Sequence, residues 1–507
     1  MKKIAFLAVS AWVFIACSHE VNLQVQTDKG TIEGIELEGG VKAYLGIPFA
    51  QAPIGDLRWK APQPKEAWEG VLPTKTFGFD PIQPVIWDDI LLRGEHMDED
   101  CLYLNVWTTA KTDKDNLPVL IYFNGGGLMV GSGSEARYEG DAIAKEGVIG
   151  VTANYREGVF GFFAHPELSA ETDYKGSGNY GFLDQVAAIE WVKRNIKAFG
   201  GDPNRITIAG ESAGSFSVSL LMVSPLSKDL LAGAILSSGA EVYSYRSKTL
   251  AQAEQEGLDL FASKDLTSVA QARALSADSL ATLLPPTGMA VSVLDGYFMT
   301  EYPDSVYAQG REAAIPLLAG WNSLESYPQA RTLKAWRPIL DGWFHGYVDQ
   351  LLEVYGIRTD ADVMATQGFN LASDLFTGFP SWKACDYHAK AGFPTYRYKF
   401  NRPRPLGDKT EPGAVHSADI EYAMGNLKDN HVYYWTDVDY AISRTFLSFY
   451  ANFAKTGNPN GEGLPQWDVI NGQLDCPPVM QIDSISAQIN SQGEAPYHLL
   501  EKIYTNH

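Results

Sequence analysis

The sequence predicts an α/β protein: a mostly parallel central sheet, helices on its flanks, and helical insertions over one end. Three observations carry this expectation. Residues 118–123 and 148–155 are nearly continuous apolar runs, the pattern of strands buried on both faces. Between such runs Phe182, Val186, Ile189, Val192 and Ile196 recur at helical spacing, and Gly200-Gly201 closes that helix. Third, Ile206 and Ile208 alternate with polar residues as in a strand. Phe216, Val218, Leu220, Leu221 and Val223 then form an apolar segment suited to a helix, with Gly210-x-Ser212-x-Gly214 between the two.

In chain order, Lys2 and Lys3 precede an uncharged, mostly apolar run over residues 4–16, too short to span a membrane comfortably. Residues 1–16 therefore read as an export signal. Its end, Phe14-Ile15-Ala16-Cys17-Ser18, resembles a bacterial lipoprotein cleavage site, with Cys17 as the lipidated first mature residue. Ordinary signal cleavage near Cys17 is the alternative. The expected location is periplasmic or at the outer membrane or cell surface, otherwise secreted, with membrane contact only through a lipid at Cys17. A single domain is expected over residues 21–505, since no charged or Ser/Gly-rich linker interrupts the chain. Short strands are expected at 41–45 and 103–107, and further central strands at 232–236, 315–319 and 396–400. Residues 244–300 and 325–380 read as mainly helical, placed to shape a pocket.

The 507 residues are 45% apolar and 20% charged, with a formal net charge of −21, which argues against a nucleic-acid partner because phosphate binding needs clustered Lys and Arg. No clustered His/Cys pattern points to a metal, and no cofactor is called for. Beyond Cys17 only Cys101, Cys385 and Cys476 remain. Three cannot pair completely, and a Cys385–Cys476 bond is left open.

The chemistry starts at Ser212. A strand-to-helix turn this sharp leaves no room for a Cβ at Gly210 or Gly214, and it exposes a strained serine near the positive end of the following helix. Such a nucleophile needs a base and a group to orient it. His416, in Gly413-Ala414-Val415-His416-Ser417, stands in a loop after the strand near residue 400, at the end of the sheet where the elbow sits. Glu325 follows the strand at 315–319 and lies between nucleophile and base in chain order; taken alone it also reads as a surface residue starting a helix. Asn124-Gly125-Gly126-Gly127 follows the strand at 118–123, where glycines let backbone N–H groups approach an oxyanion.

With these residues assembled, the chain resembles the type-B carboxylesterases, the family of para-nitrobenzyl esterases, mammalian carboxylesterases and cholinesterases. The likeness runs from about Val21 to near the C-terminus. It includes Leu45-Gly46-Ile47-Pro48-Phe49-Ala50, Glu99-Asp100-Cys101-Leu102-Tyr103-Leu104-Asn105, Asn179-Tyr180-Gly181-Phe182-Leu183-Asp184-Gln185 and Phe199-Gly200-Gly201-Asp202-Pro203-Asn204. The resemblance implies an α/β-hydrolase fold and a cofactor-free serine hydrolase that forms an acyl-enzyme on small to medium, largely apolar esters. By position it implies Ser212 as nucleophile, Glu325 as acid and His416 as base. Gly126, Gly127 and Ala213 match the oxyanion hole, Glu211 and Ser238 the supporting groups, and Arg58 and Glu99 a structural ion pair. Asn124 replaces the common His or Tyr, Leu128 the usual Phe, and Ser326 the usual Gly after the acid. Cys101 matches half of a family disulfide whose partner is absent. Trp87 is near a choline-binding position but differs in spacing, so choline specificity is not implied. A non-catalytic binding module and a hydrolase of thioesters or amides are the alternatives.

Overall fold

Eleven strands form the central sheet of the computed structural model, which describes residues 20–505 except 88, 244–246, 285–289, 408, 471, 473–475, 492 and 493. The expected signal over 1–16 and Cys17 lie outside the described residues. In chain order the sheet strands are β1 Ile35–Leu37, β2 Val41–Pro48, β3 Tyr103–Thr108, β4 Leu117–Phe123, β5 Ile149–Ala153 and β6 Gly201–Glu211. They continue as β7 Gly233–Ser237, β8 Leu317–Asn322, β9 Thr395–Phe400, β10 Pro478–Ile482 and β11 Ala487–Asn490. The spatial order is β11-β10-β9-β8-β7-β6-β4-β5-β3-β2-β1. From β4 to β10 every neighbouring pair is parallel, and the strands outside that block pair antiparallel.

The apolar runs explain the layering. Along β4, Val119, Ile121 and Phe123 join one buried cluster, and Leu120 and Tyr122 join another on the opposite face. The first face packs helix α1 (Tyr180–Asn195) and helix α2 (Ala213–Leu221) through Phe182, Ile189, Val192, Val218 and Leu221. A 3-10 turn over Ile196–Phe199 extends α1 to Gly200, whose φ of +82° ends it where the glycine pair predicts. The opposite face packs the long helix Asp437–Thr456 through Phe446, Phe449, Tyr450 and Phe453.

The insertions are helical, as expected. Helices Leu250–Ser263, Val269–Arg273 and Ala277–Leu283 follow β7, and Leu333–Trp343 to Phe379–Lys390 lie between β8 and β9. Each has its own apolar cluster, around Phe261 and Leu280 in the first and around Trp336, Leu351 and Phe379 in the second. Arg58 meets Glu99 through two parallel hydrogen bonds and also donates to the carbonyls of Ala272, Arg273 and Leu275, so this buried pair clamps the first insertion. Cys385 does not bond Cys476: Cys385 and Cys101 are buried free thiols, and Cys476 is an exposed one. Burial also pushes the Cys101 thiol well above its usual range, which keeps it protonated and unreactive. Trp87 lies exposed.

Candidate active site

Ser212 occupies the one residue between β6 and α2, with φ 55° and ψ −123°, a conformation that costs of order 1–3 kcal/mol. Its surroundings hold it there. Its N–H donates to the Ser237 carbonyl at 3.0 Å. A Cβ on Gly210 would meet the Gly214 carbonyl carbon at 2.5 Å, and one on Gly214 would meet the Phe123 carbonyl oxygen at 2.2 Å. The two glycines thus touch each other and the end of β4, and no side chain fits.

His416 comes from a loop that zips onto the loop after β8. Leu324 N–H donates to Ala414 O at 2.9 Å, Ala414 N–H donates to Ser323 Oγ at 3.0 Å, and Asn322 Nδ2 donates to Val415 O at 2.9 Å. The imidazole then bridges the other two groups, with Nε2 2.8 Å from Ser212 Oγ and Nδ1 2.6 Å from Glu325 Oε2. The ring keeps 26% of its surface exposed, as a group that must meet substrate requires. Glu325 is buried and outside any helix, so the reading of it as a surface residue starting a helix does not hold. Its Oε1 accepts from Ser238 Oγ at 2.6 Å and from the Asn322 N–H.

Glu211 is buried beside the elbow, with Oε1 3.3 Å from His416 Nε2. Burial raises its carboxyl to about 8, against the opposing pull of His416. Burial alone would lower the His416 imidazole, but Glu211 first and Glu325 next raise it to about 9.

The glycine loop after β4 lies against the nucleophile: a Cβ on Gly125 would come within 3.2 Å of Ser212 Cβ. Gly126 and Gly127 have φ of +107° and +69°, which other residues rarely adopt. Among the described residues no protein acceptor meets the N–H groups of Gly126, Gly127 and Ala213. Gly127 and Ala213 line a narrow cleft with Phe182, Phe216, Ala290 and Val291. Ala290 and Val291 also line a cavity of about 640 Å³ walled by Phe162, Phe163, Leu260 and Val293, with Lys248 and Glu256 among its polar lining residues.

The candidate triad, oxyanion and supporting residues therefore come together at one end of the sheet. Three contributors were not foreseen. Ser373 Oγ accepts the Glu325 N–H at 2.9 Å, and Phe376 sets its ring edge-on to His416 with centroids 5.0 Å apart. Asp419 binds Asn322 Nδ2 and Tyr398 Oη. Ser373 stands 48 residues from Glu325 and next to a π-turn over Asp374–Gly378, for which local periodicity has no signal. Asp419 was within sight, three residues after His416.

A model of the carboxylesterase family matches residues 21–497. Fumonisin B1 esterase of Sphingopyxis macrogoltabida is 34% identical over 498 residues, covering 90% of this chain and 88% of that protein. Liver carboxylesterase 1 of Oryctolagus cuniculus is 32% identical over 514 residues, covering 87% of each. Among solved structures, a PNB esterase superposes with a TM-score of 0.82 at 28% identity, over 94% of this chain and 99% of that one. The Geobacillus stearothermophilus carboxylesterase EST55 does so with a TM-score of 0.83 at 29% identity, over 94% and 100%. The architecture shared with these esterases is the α/β-hydrolase fold.

Proposed function

The chain belongs to the carboxylesterase family and is a carboxylic ester hydrolase, and from that premise we propose that Ser212, His416 and Glu325 are its catalytic triad. The observation that carries this reading is the unbroken line of hydrogen bonds from Ser212 Oγ through His416 to Glu325. His416 takes the Ser212 proton as the oxygen attacks the ester carbonyl. Glu325 holds the hydrogen on Nδ1 and offsets the imidazolium charge. Gly126, Gly127 and Ala213 donate N–H groups to the oxyanion, each such donor being worth about 10²–10³ in kcat. The alcohol leaves with the proton from His416, and water repeats the sequence on the acyl-enzyme.

Glu211 and Ser238 support the triad. Ser238 fixes one Glu325 oxygen. Glu211, with Oε1 3.3 Å from His416 Nε2, favours the imidazolium that forms as the Ser212 proton is taken. A non-catalytic binding module has no need of this alignment.

The substrates we propose are small to medium, largely apolar esters, in keeping with Phe162, Phe163, Leu260 and Val293 on the wall of the 640 Å³ cavity. Export and lipid attachment at Cys17 are likewise proposed, on the basic start, the apolar run over 4–16 and the cysteine that follows it. Ser212→Ala tests the assignment: it should abolish p-nitrophenyl acetate turnover and leave the melting temperature unchanged, and a fluorophosphonate should label the parent protein at Ser212 alone. Wild-type-like turnover by the variant would overturn it.

A further inference from the structure

Behind the oxyanion loop lies a buried polar cluster that the triad does not use. Asn124, the residue before the three glycines, directs Nδ2 to three acceptors: Gly125 O at 3.0 Å, Glu157 Oε1 at 3.0 Å and Tyr155 Oη at 3.4 Å. Tyr155 Oη in turn donates to the Asn124 carbonyl at 2.9 Å. The amide is enclosed, since a Cβ on Gly131 would lie 2.2 Å from Asn124 Nδ2. Asn124, Tyr155 and Glu157 are all buried. Glu157 Oε2 has no hydrogen-bond partner among the described residues.

A buried carboxyl with an orphaned oxygen destabilises the fold, and an apolar side chain of similar volume would be the stabler choice. Its position relates it to the reaction instead. The one oxygen that is bonded holds Asn124, and Asn124 holds both the carbonyl of Gly125 and the start of the turn that presents the N–H groups of Gly126 and Gly127. Glycine carries no side chain with which to fix its own backbone, so a loop of three is only as ordered as its ends. The far end is tied as well: Met129 and Val130 N–H groups donate to Gly126 O, and Gly158 N–H, one residue from Glu157, donates to Leu128 O at 2.8 Å. Both ends thus run back to the same short segment, 155–158.

Resting on the esterase reading above, we propose that Asn124 is a positioning residue for the oxyanion hole, and that Glu157 and Tyr155 lock it in place. The lock works through hydrogen bonds, so a neutral acceptor at 157 suffices. Burial pushes the Glu157 carboxyl well above the ordinary range, in keeping with a neutral group there.

The test is kinetic. Glu157→Leu removes the acceptor and keeps the volume; it should lower kcat on p-nitrophenyl acetate about 10- to 100-fold, a part of the cost of losing one oxyanion donor. KM should stay within about twofold, and the affinity for an aryl trifluoromethyl ketone, whose adduct places an oxyanion in the hole, should fall in step with kcat. Glu157→Gln should restore kcat to within about threefold of the parent. Asn124→Ala should match Glu157→Leu, and the double variant should be no worse than either. If Glu157→Leu does not fold, Tyr155→Phe, which frees the Asn124 carbonyl, should show the same split between kcat and KM. Parental kcat in the folded variant, or a loss with unchanged ketone affinity, would overturn the proposal. Loss of phosphonate labelling at Ser212 in the parent protein would instead overturn the triad reading, so the two failures are distinct.

Discussion

Replacing Glu325 by glutamine separates the shape of the acid from its charge and proton affinity. Glu325 Oε1 accepts from Ser238 Oγ and from the Asn322 N–H. A hydroxyl can turn its hydrogen away, but a backbone N–H cannot become an acceptor. The amide oxygen of Glu325→Gln must therefore take the Oε1 position, and its NH2 faces His416 Nδ1, where the carboxylate oxygen now lies 2.6 Å away. Nδ1 can then only accept, which leaves the ring hydrogen on Nε2, pointing at Ser212 Oγ. A base in that tautomer has no lone pair for the serine proton. Imposing the wrong tautomer on such a triad costs about 10⁴ in kcat, or about 5.5 kcal/mol at 1.36 kcal/mol per decade. The lost counter-charge gives a similar scale: two unit charges 2.6 Å apart interact by about 6 kcal/mol at an effective dielectric constant of about 20. Solvent at the 26%-exposed ring removes part of this. The assay is steady-state hydrolysis of p-nitrophenyl acetate with thermal melting alongside. We expect kcat to fall about 10⁴-fold with a melting temperature within a few degrees of the parent, because every buried hydrogen bond is still satisfied. A variant that melts normally and keeps more than about a tenth of the parental kcat would refute the tautomer argument.

Glu211→Gln removes the largest contribution that raises the His416 imidazole. The imidazolium is then less favoured, its pKa falls from about 9, and the neutral base persists to lower pH; the acid limb of the kcat/KM profile should move down, and an upward shift would contradict the electrostatics. Gly214→Ala would drive a Cβ to 2.2 Å from the Phe123 carbonyl oxygen, a backbone atom that cannot turn aside; a loss of about 3 kcal/mol or more in urea unfolding is expected, and parental stability would sink the steric account of the elbow. Arg58→Leu leaves Glu99 buried without its partner and should cost about 3–5 kcal/mol of stability, with kcat per folded molecule unchanged.

Much of this was legible in the chain because the signals were local or tied to fixed turns. The apolar runs that became β4 and β5 need no knowledge of partners, since burial on both faces demands apolar residues throughout. The elbow was legible because steric exclusion at Gly210 and Gly214 leaves one residue type. Glu325 was different: nothing in its neighbourhood distinguishes a buried acid from a surface one, and only its likeness to a family motif singled it out. Ser373 and Phe376 were invisible because their role comes from contact across the fold. Asn124 was seen as a departure from the family pattern, but its meaning depends on Glu157 and Tyr155, which lie beyond β5 and adjoin it only through sheet pairing.

That pairing also sets the gauge of the site. The parallel ladder continues one step past the strand ends: Ser212 N–H donates to Ser237 O at 3.0 Å, Ser238 N–H to Gly320 O at 2.8 Å, and Ser323 N–H to Phe400 O at 2.9 Å. The loops bearing the nucleophile, the supporting serine and the acid are thus each tied to the next strand over, from β6 across to β9. A slip of one residue anywhere in this series would shift a loop by about 3.3 Å, more than the 2.8 Å that separates His416 from Ser212. It would also turn the strand's side chains to the wrong face, carrying Ile206 and Ile208 out of the cluster that holds α1 and α2. The apolar alternation that makes such a slip costly is therefore the same feature that keeps three distant side chains within reach of one proton. Core substitutions that preserve the alternation should change stability and leave the proton-transfer geometry alone.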